Sequence, residues 1–324
     1  MREGDRVLTL ANGQMIPLAI TWIGQRRIDL IRHPQPDLAR PIRIHRHAFA
    51  PNIPGRDLLV SPDHAILVDG GLIPAKHLVN DGSIVEDRTL HHVHYFHVEL
   101  ERHAIILAEG LSTESYLDTG NRNLFANGGG PIALCPEFRP PKTWSSDAAA
   151  PLVTDEARVK PVWERLAARA RELDLPVRDL RSIDDPALQL QVGGRMIRPV
   201  QLGDDRFVFC LPKHDGTVRV MSRAGSPTDV SPWAEDWRRL GIYVGHIVTH
   251  SRTGPSTLPL DHPSLREGWW AIEQAGRLLR RWTDGNALLP VPPGTTMVEI
   301  HLAGRMAYRA GCSEPTGRPT RLVA

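Results

Sequence analysis

Short stretches of alternating apolar and polar residues, separated by turn-forming residues, set the strongest limit on the fold of this chain. Ile42 and Ile44 alternate with Arg43 and His45, a period of two that is typical of a strand with one buried face. Turn signals recur about every ten residues across 4–125, as in all-β domains. The chain also contains 27 glycines and 28 prolines, which favour turns and short strands over long helices.

The segment around residues 92–101 alternates with the same period of two, with apolar residues on one side and polar residues on the other. Phe96, Val98 and Leu100 alternate with His97 and two glutamates. This pattern predicts a strand.

A change of composition after residue 125 predicts a second part of the chain. Residues 126–153 are rich in Gly, Pro, Ser and Ala and indicate a linker, after which apolar residues at helical spacing predict one helix. Thr154 or Asp155 is its expected N-cap, while Pro161 offers an alternative start because proline fits a first turn. Residues 188–308 again contain strand-like segments.

These patterns predict three regions in a chain of 324 residues, which is long enough for two domains. We expect an all-β domain over 1–135, a linker with one helix over 136–185, and a β-sandwich-like domain over 186–324.

Composition argues against several classes of protein. The net charge is +2, and no dense Lys/Arg patch with interleaved aromatics suggests a nucleic-acid partner. No apolar run approaches the roughly 18–20 residues of a membrane span, and the N-terminal apolar run is too short for a signal peptide. Cys135, Cys210 and Cys312 lie far apart, which disfavours a zinc ribbon or a disulfide framework. We therefore expect no cofactor, nucleic acid or membrane partner, and a cytoplasmic location by default.

The segment from Asp57 to Leu78 carries the most specific chemical pattern. A short apolar run ends at Ser61-Pro62-Asp63-His64, and a second apolar run follows the turn at Asp69-Gly70-Gly71. A Ser-x-x-His element alone has little specificity, because a lone histidine is often a core residue bonded to a backbone carbonyl.

Two further blocks flank this segment at consistent spacing. They are "EGDRVLTLANGQMIPLAITWIG" at residues 3–24 and "YFHVELERHAIILAEGLSTESYLDTGNR" at residues 95–122. In order and spacing the three blocks resemble the Hedgehog/intein (Hint) domain family. They are most similar to a bacterial subgroup with a Ser-Pro-Asp-His-Ala block, and the resemblance covers roughly residues 3–135.

The resemblance implies an N-to-S or N-to-O acyl shift, in which a Cys or Ser attacks the peptide bond just before it. His64 matches the histidine that binds and protonates the leaving nitrogen, and Ser61 stands where many members have threonine. Asp63 adjoins His64 and is a candidate to tune it, and His103 matches a histidine that supports the later step. An amide is a poor electrophile, so a proton donor is needed as well as a nucleophile.

The chain departs from the family pattern at the nucleophile. Only three residues precede the Gly4-Asp5 pair, no cysteine precedes Cys135, and no C-terminal His-Asn pair is followed by a nucleophile. We therefore expect at most self-processing activity, with an upstream polypeptide in cis as substrate, and no cleavage by the chain as written. Two explanations stay open: the first strand has been lost, or the start codon is assigned too late.

The C-terminal region suggests a rival function. Trp269, Trp270 and Trp282, with Glu273 and Arg281 nearby, resemble a β-sandwich module attached to bacterial surface-carbohydrate proteins. Exposed tryptophans would stack on sugar rings, whereas buried ones would fill the core of the sandwich. On this alternative the Hint fold is a scaffold, and the sandwich recognises a glycan or a protein.

A run of histidines, His91, His92, His94 and His97, invites a metal interpretation. No carboxylate or cysteine stands at a recognisable ligand spacing, so we expect no metal site, although zinc would be the natural ion for neutral imidazoles.

Overall fold

A computed structural model describes most of the chain and divides it into two compact units, Met1–Arg178 and Asp179–Ala324. The described residues are 1–11, 13–128, 142–213 and 217–311. Cys135 and Cys312 therefore lie outside the described residues, as does Asn12 of a turn that the sequence places at Asn12-Gly13.

The first unit contains ten strands and one α-helix among its described residues. The strands are β1 (Arg6–Ala11), β2 (Gln14–Asp29), β3 (Ile42–Ile44), β4 (Leu58–Val60), β5 (Ala65–Val68), β6 (Gly71–Pro74), β7 (Ile84–Glu86), β8 (His92–Leu100), β9 (Ile105–Ala108) and β10 (Leu111–Glu114), and the helix is α1 (Glu156–Glu172). Short 3-10 turns lie at Pro36–Leu38, Ala75–Leu78 and Arg122–Leu124.

These strands form two antiparallel sheets. Seven of them follow the order β6-β5-β10-β9-β1-β2-β8, and three follow the order β4-β3-β7. The β5–β6 hairpin pairs Val68 with Gly71, so Asp69 and Gly70 form a two-residue loop, and both have positive φ (49° and 76°). This is the geometry of a type I′ turn, and it confirms the predicted turn at this position.

Helix α1 begins after Asp155, which is one of the two starts that the sequence predicted. The side chain of Asp155 accepts a hydrogen bond from the Arg158 N–H at 3.0 Å, which makes Asp155 the N-cap. Pro161 lies inside the helix, so the alternative start at Pro161 is wrong. The helix tolerates it because one apolar side is buried, and because Trp163 donates its indole N–H to the Val79 carbonyl at 2.8 Å. No helix among the described residues is both long and apolar enough to cross a membrane.

The segment 142–178 packs on the strands of the first unit. The N–H of Leu72 donates to the Pro151 carbonyl at 2.9 Å, and the N–H of Val153 donates to the Leu72 carbonyl at 2.8 Å. A Cβ on Gly82 would lie 2.1 Å from the Pro176 carbonyl oxygen, so only glycine fits that contact. Much of the predicted linker thus belongs to the first unit by its contacts, while the predicted domain boundaries stay a prediction.

The second unit contains thirteen strands among its described residues. They are β11 (Ser182–Ile183), β12 (Gln189–Val192), β13 (Arg195–Ile197), β14 (Gln201–Leu202), β15 (Arg206–Cys210), β16 (Thr217–Met221), β17 (Tyr243–Ser251), β18 (Gly254–Thr257), β19 (Trp269–Ala275), β20 (Leu278–Thr283), β21 (Asn286–Pro290), β22 (Met297–Gly304) and β23 (Tyr308–Arg309). A 3-10 turn lies at Pro227–Asp229.

Two of the sheets in the second unit share one core. A four-stranded sheet has the order β13-β12-β16-β21, and a larger sheet has the order β14-β15-β22-β17-β20-β19 with β18 paired to β17. Val218 and Leu289 from the first sheet belong to the same buried cluster as Phe209 and Ile300 from the second. The described chain is therefore all-β apart from one helix and short turns, with a second β-rich region that is sandwich-like, as the sequence predicted.

Candidate active site

A cavity of about 410 Å³ lies in the first unit and collects residues from several elements. Its walls come from β2, the turn before β5, β8, and the chain that follows β10. The lining residues are Arg26, Ile28, His33, Leu38, Ala39, Ser61, Pro62, Asp63, His64, Tyr95, His97, Glu114, Ser115, Tyr116, Leu117, Thr119, Asn121, Leu124, Phe125 and Trp144. Three of the four predicted catalytic residues are among them.

The Ser61–His64 element is a tight turn that brings its first and last residues to the cavity wall. The His64 N–H donates to the Ser61 carbonyl at 3.0 Å, and Pro62 occupies the second position, where its fixed φ favours a turn. The His64 carbonyl in turn accepts from the Ala75 N–H at 3.0 Å. These bonds explain why a Ser-Pro-x-His sequence presents its hydroxyl and its imidazole together.

The side chain of Asp63 contacts Lys76 rather than the adjacent His64. Its side chain is 79 % exposed, and the Lys76 ammonium lies 2.9 Å from Asp63 Oδ1. Asp63 therefore contacts Lys76, and its charge is screened by solvent, so little of it acts on His64.

A second histidine faces His64 across the cavity. The ring centroids of His64 and His97 lie 6.1 Å apart, and His97 also makes edge contacts with Tyr116 and Phe125 at 5.8 and 5.1 Å. Burial, with smaller contributions from His64 and Arg26, lowers the pKa of His97 to about 4. Burial also lowers the pKa of His64, so both imidazoles are neutral near pH 7.

His103 lies behind the cavity wall. Its side chain is fully buried, its Nε2 is 3.4 Å from Glu114 Oε2, and its Nδ1 accepts a hydrogen bond from the Ala149 N–H at 2.9 Å. Trp144 packs edge-on against the ring at 5.7 Å. The structure thus brings Ser61 and His64 together and separates His103 from the cavity by the side chain of Glu114.

Three cavity residues were missed at the level of sequence: His97, Glu114 and Tyr116. The alternation in β8 held a signal for the first of them, because it places His97 on one side of a strand. Phe96 is 58 % exposed, whereas Tyr95 is buried and His97 points to the cavity on the same side.

The other histidines of the run have separate environments. His94 stacks against Phe96 at 4.1 Å, and His92 Nε2 lies 3.9 Å from Asp29 Oδ2. Within the described ranges, no group of three His, Cys, Asp or Glu side chains has a geometry that could hold a metal ion.

The three tryptophans of the second unit have different surroundings. Trp269 is 8 % exposed, and its indole N–H donates to the Leu288 carbonyl at 2.7 Å, which places it in the core. Trp270 and Trp282 are half-buried. Trp282 stacks on Tyr243 with ring centroids 4.4 Å apart and an angle of 16° between the planes.

The first unit places a Ser-x-x-His turn on the wall of a cavity within antiparallel β structure. Residues 1–120 match the family model described as Hint domain, which confirms the family prediction for this N-terminal part of the chain. That family is related to autocatalytic protein processing. No curated protein and no solved structure matched the chain significantly.

Proposed function

We propose that the first unit, Met1–Arg178, which we call the Hint unit, promotes an N-to-S or N-to-O acyl shift. In this proposal His64 is the group that transfers a proton to the leaving nitrogen. The observation that supports this most directly is the turn that presents Ser61 and His64 together on the wall of a 410 Å³ cavity. A buried but cavity-facing imidazole satisfies the first requirement for a general acid–base, which is reach to the reacting atoms.

The proposed step is balanced without any added reactant. The thiol or hydroxyl of a Cys or Ser attacks the carbonyl carbon of the preceding peptide bond, and a thioester or ester forms as the C–N bond breaks. The proton lost by the nucleophile passes to His64, and His64 delivers a proton to the nitrogen, which leaves as a free amine. Ser61 would hold the scissile amide by a hydrogen bond from its hydroxyl.

We further propose that the nucleophile belongs to polypeptide joined ahead of the Gly4-Asp5 pair. None of residues 1–134 is a cysteine, and the described lining of the cavity contains none either. On this proposal the 324-residue chain by itself does not cleave, and the activity needs a Cys or Ser supplied in cis.

The test compares the chain with a version extended at its N-terminus. The extension is taken from the in-frame codons upstream of Met1, where these encode a strand headed by Cys or Ser, and a reporter domain is placed before it. We expect mass spectrometry to show cleavage just before the Cys or Ser, accelerated by added thiol. His64→Ala should slow this cleavage at least 100-fold, in the range expected for a lost general acid–base.

Two controls make this test decisive. Replacing the upstream Cys or Ser by Ala must abolish cleavage, and His33→Ala, which alters another histidine of the cavity lining, should change the rate less than threefold. An extended chain that stays intact with thiol, or that cleaves equally fast without His64, contradicts the proposal. A stop codon directly upstream of Met1 would favour the second candidate.

The second candidate is a recognition role for the second unit. One surface of this unit gathers aromatic rings beside charged groups: Tyr243 stacks on Trp282, its hydroxyl donates to Glu273 Oε2 at 2.9 Å, and Arg238 contacts the same carboxylate at 2.9 Å. The Arg238 guanidinium also lies 5.6 Å from the Trp270 ring centroid. Aromatic faces next to fixed donors and acceptors suit a glycan or a protein ligand.

Tryptophan fluorescence tests this candidate. Adding a panel of bacterial oligosaccharides to the full chain should change the emission, and Trp282→Ala should reduce the change. The matched control is Trp269→Phe, because Trp269 lies in the core and should leave the response in place. No change across the panel would count against glycan recognition.

A further inference from the structure

Glu114 is a buried carboxylate in the cavity wall that also carries His64, and it is positioned by its strand. It is the last residue of β10, it is 7 % exposed, and it lines the cavity. β10 pairs with β5 at Thr113 and Ile66. At the next position of β10, the side chain of Glu114 rather than its backbone binds β5. Its Oε1 accepts the Ala65 N–H at 2.7 Å, so the carboxylate binds the residue that directly follows His64.

The other carboxylate oxygen faces His103, whose tautomer is determined by its surroundings. His103 Nδ1 accepts a hydrogen bond from the Ala149 N–H, so this nitrogen carries no proton and the ring proton lies on Nε2. Nε2 lies 3.4 Å from Glu114 Oε2 without the alignment of a hydrogen bond.

Glu114 therefore accepts a hydrogen bond from a backbone N–H and contacts one imidazole. Among the described residues, the ion pairs bring neither Lys nor Arg to its carboxylate. His64 lines the same cavity and directly precedes the residue that this carboxylate binds. A negative charge on Glu114 would act on that imidazole more strongly than it would across water, because the protein interior has a low dielectric constant.

Other charged and titratable groups around His64 work differently. Across the cavity His97 is neutral near pH 7, and Arg26 on β2 would oppose a positive charge on His64. Asp63, on the same turn, is exposed and bonded to Lys76. Burial lowers the pKa of His64, Glu114 raises it, and His103 lowers it.

We infer that Glu114 is the positioning residue of His64: its carboxylate fixes the backbone after His64 and stabilises positive charge on that imidazole during proton transfer. His103 then acts through Glu114, by its contact with the second carboxylate oxygen, and does not reach the scissile bond. The role in proton transfer rests on the proposed function, whereas the effect on the proton affinity of His64 does not depend on it.

Histidine NMR titration of the full chain tests the inference without any cleavage reaction. Glu114→Gln keeps the shape and an acceptor for the Ala65 N–H but removes the charge. We expect the protonation midpoint of His64 to fall by at least one pH unit, a tenfold loss of proton affinity. Glu109→Gln is the matched control, because Glu109 lies at the β9–β10 turn and pairs with exposed Arg56, and it should leave the midpoint in place.

A folded Glu114→Gln variant with an unchanged His64 midpoint overturns the inference. If that variant does not fold, the wild-type chain still decides: the ¹⁵N shifts of His103 must show a protonated Nε2 and an unprotonated Nδ1 near pH 7, and the opposite tautomer overturns it. In the N-terminally extended chain, Glu114→Gln should also move the acid limb of the pH–rate profile to lower pH. Absence of any cleavage would contradict the proposed function alone, since the titration is independent of it.

Discussion

Each unit of the molecule buries one glutamate beside histidine, and the two glutamates have different partners. Glu114 in the Hint unit and Glu299 in the second unit are each 7 % exposed. Glu114 accepts a hydrogen bond from a backbone N–H and contacts the imidazole of His103. Glu299 instead has Arg206 Nη2 at 2.7 Å, His250 Nε2 at 2.8 Å and His301 Nε2 at 3.4 Å.

The partner set decides what each carboxylate does. Burial works to raise the pKa of Glu299, but the hydrogen bonds from Arg206 and His250 outweigh it and hold the pKa below its usual range. The negative charge of Glu299 is neutralised by an adjacent guanidinium, which fits a structural role in joining β15, β17 and β22. Among the described residues no Lys or Arg side chain pairs with Glu114, and by the inference above its charge acts on His64. The same residue types thus give a structural tie in one unit and a candidate reactive site in the other.

The largest expected effect that separates the two units is their response to acid. His97 has a pKa of about 4 when folded and about 6.5 when unfolded, so the unfolded state binds more protons between these values. The free energy of unfolding of the Hint unit should therefore fall by about 2.5 kcal/mol between about pH 7 and pH 4.5, with His64 adding to the loss. The folded pKa of Glu299 is lowered, so its contribution is kept above the ordinary glutamate pKa and is lost only in stronger acid.

Urea unfolding of the full chain, followed by NMR signals assigned to each unit, measures this difference. His97→Phe supplies the control, since phenylalanine can keep the edge contacts with Tyr116 and Phe125 but cannot titrate. The acid loss should shrink in that variant. Equal losses of unfolding free energy in the two units, or a loss that persists in His97→Phe, would contradict the predicted difference between the units.

Neutralising the structural carboxylate should have the next largest effect, confined to the second unit. Glu299→Gln keeps the side-chain shape but weakens charge-assisted bonds to Arg206 and leaves His250 with a neutral partner. We expect the second unit to lose about 2 kcal/mol of unfolding free energy, in the range for hydrogen bonds to charged groups. Unit-resolved urea unfolding measures the loss, and an equal change in the Hint unit would contradict it.

The fold was largely predictable from sequence because strands and turns leave local signals. The period of two around Ile42 and the Asp69-Gly70 pair both mark features that the structure contains. The position of His97 in the cavity wall was not predictable, because the alternation in β8 does not say which side of the strand lines a cavity. A pattern of hydrophobicity fails where a wall carries polar groups.

The candidate site was predictable only in part, for a related reason. Ser61 and His64 are joined by one turn, so their proximity is a local property of four residues. Glu114 and His103 meet them through the pairing of β10 with β5 and β9, and Ala149 comes from a segment that the sequence assigned to a linker. Such contacts depend on register between distant strands, which one sequence does not reveal.

A smaller effect should show that α1 contributes to the stability of the Hint unit and not to that of the second unit. Trp163→Phe keeps most of the buried ring but removes the indole N–H that donates to the Val79 carbonyl. The Hint unit should lose about 1 kcal/mol, the usual net value of one buried hydrogen bond together with a small packing defect. The second unit should be unaffected, and Trp270→Phe offers the reciprocal control because its N–H donates to the Arg239 carbonyl of that unit. A loss that appears in the wrong unit would contradict this assignment.

The smallest expected effect concerns the carboxylate that is adjacent to His64 in sequence. Asp63 is largely exposed, and Lys76 lies 2.9 Å from its Oδ1, so solvent and an ammonium group both screen its charge. Asp63→Asn should move the protonation midpoint of His64 by less than about 0.3 pH units, against at least one unit for Glu114→Gln. A shift from Asp63→Asn as large as that from Glu114→Gln would mean that sequence neighbours, rather than the buried strand-end carboxylate, set the proton affinity of His64. Separation from His64 along the chain is therefore a poor guide to which carboxylate acts on the imidazole, because the turn directs Asp63 to Lys76 while strand pairing brings Glu114 to the residue after His64.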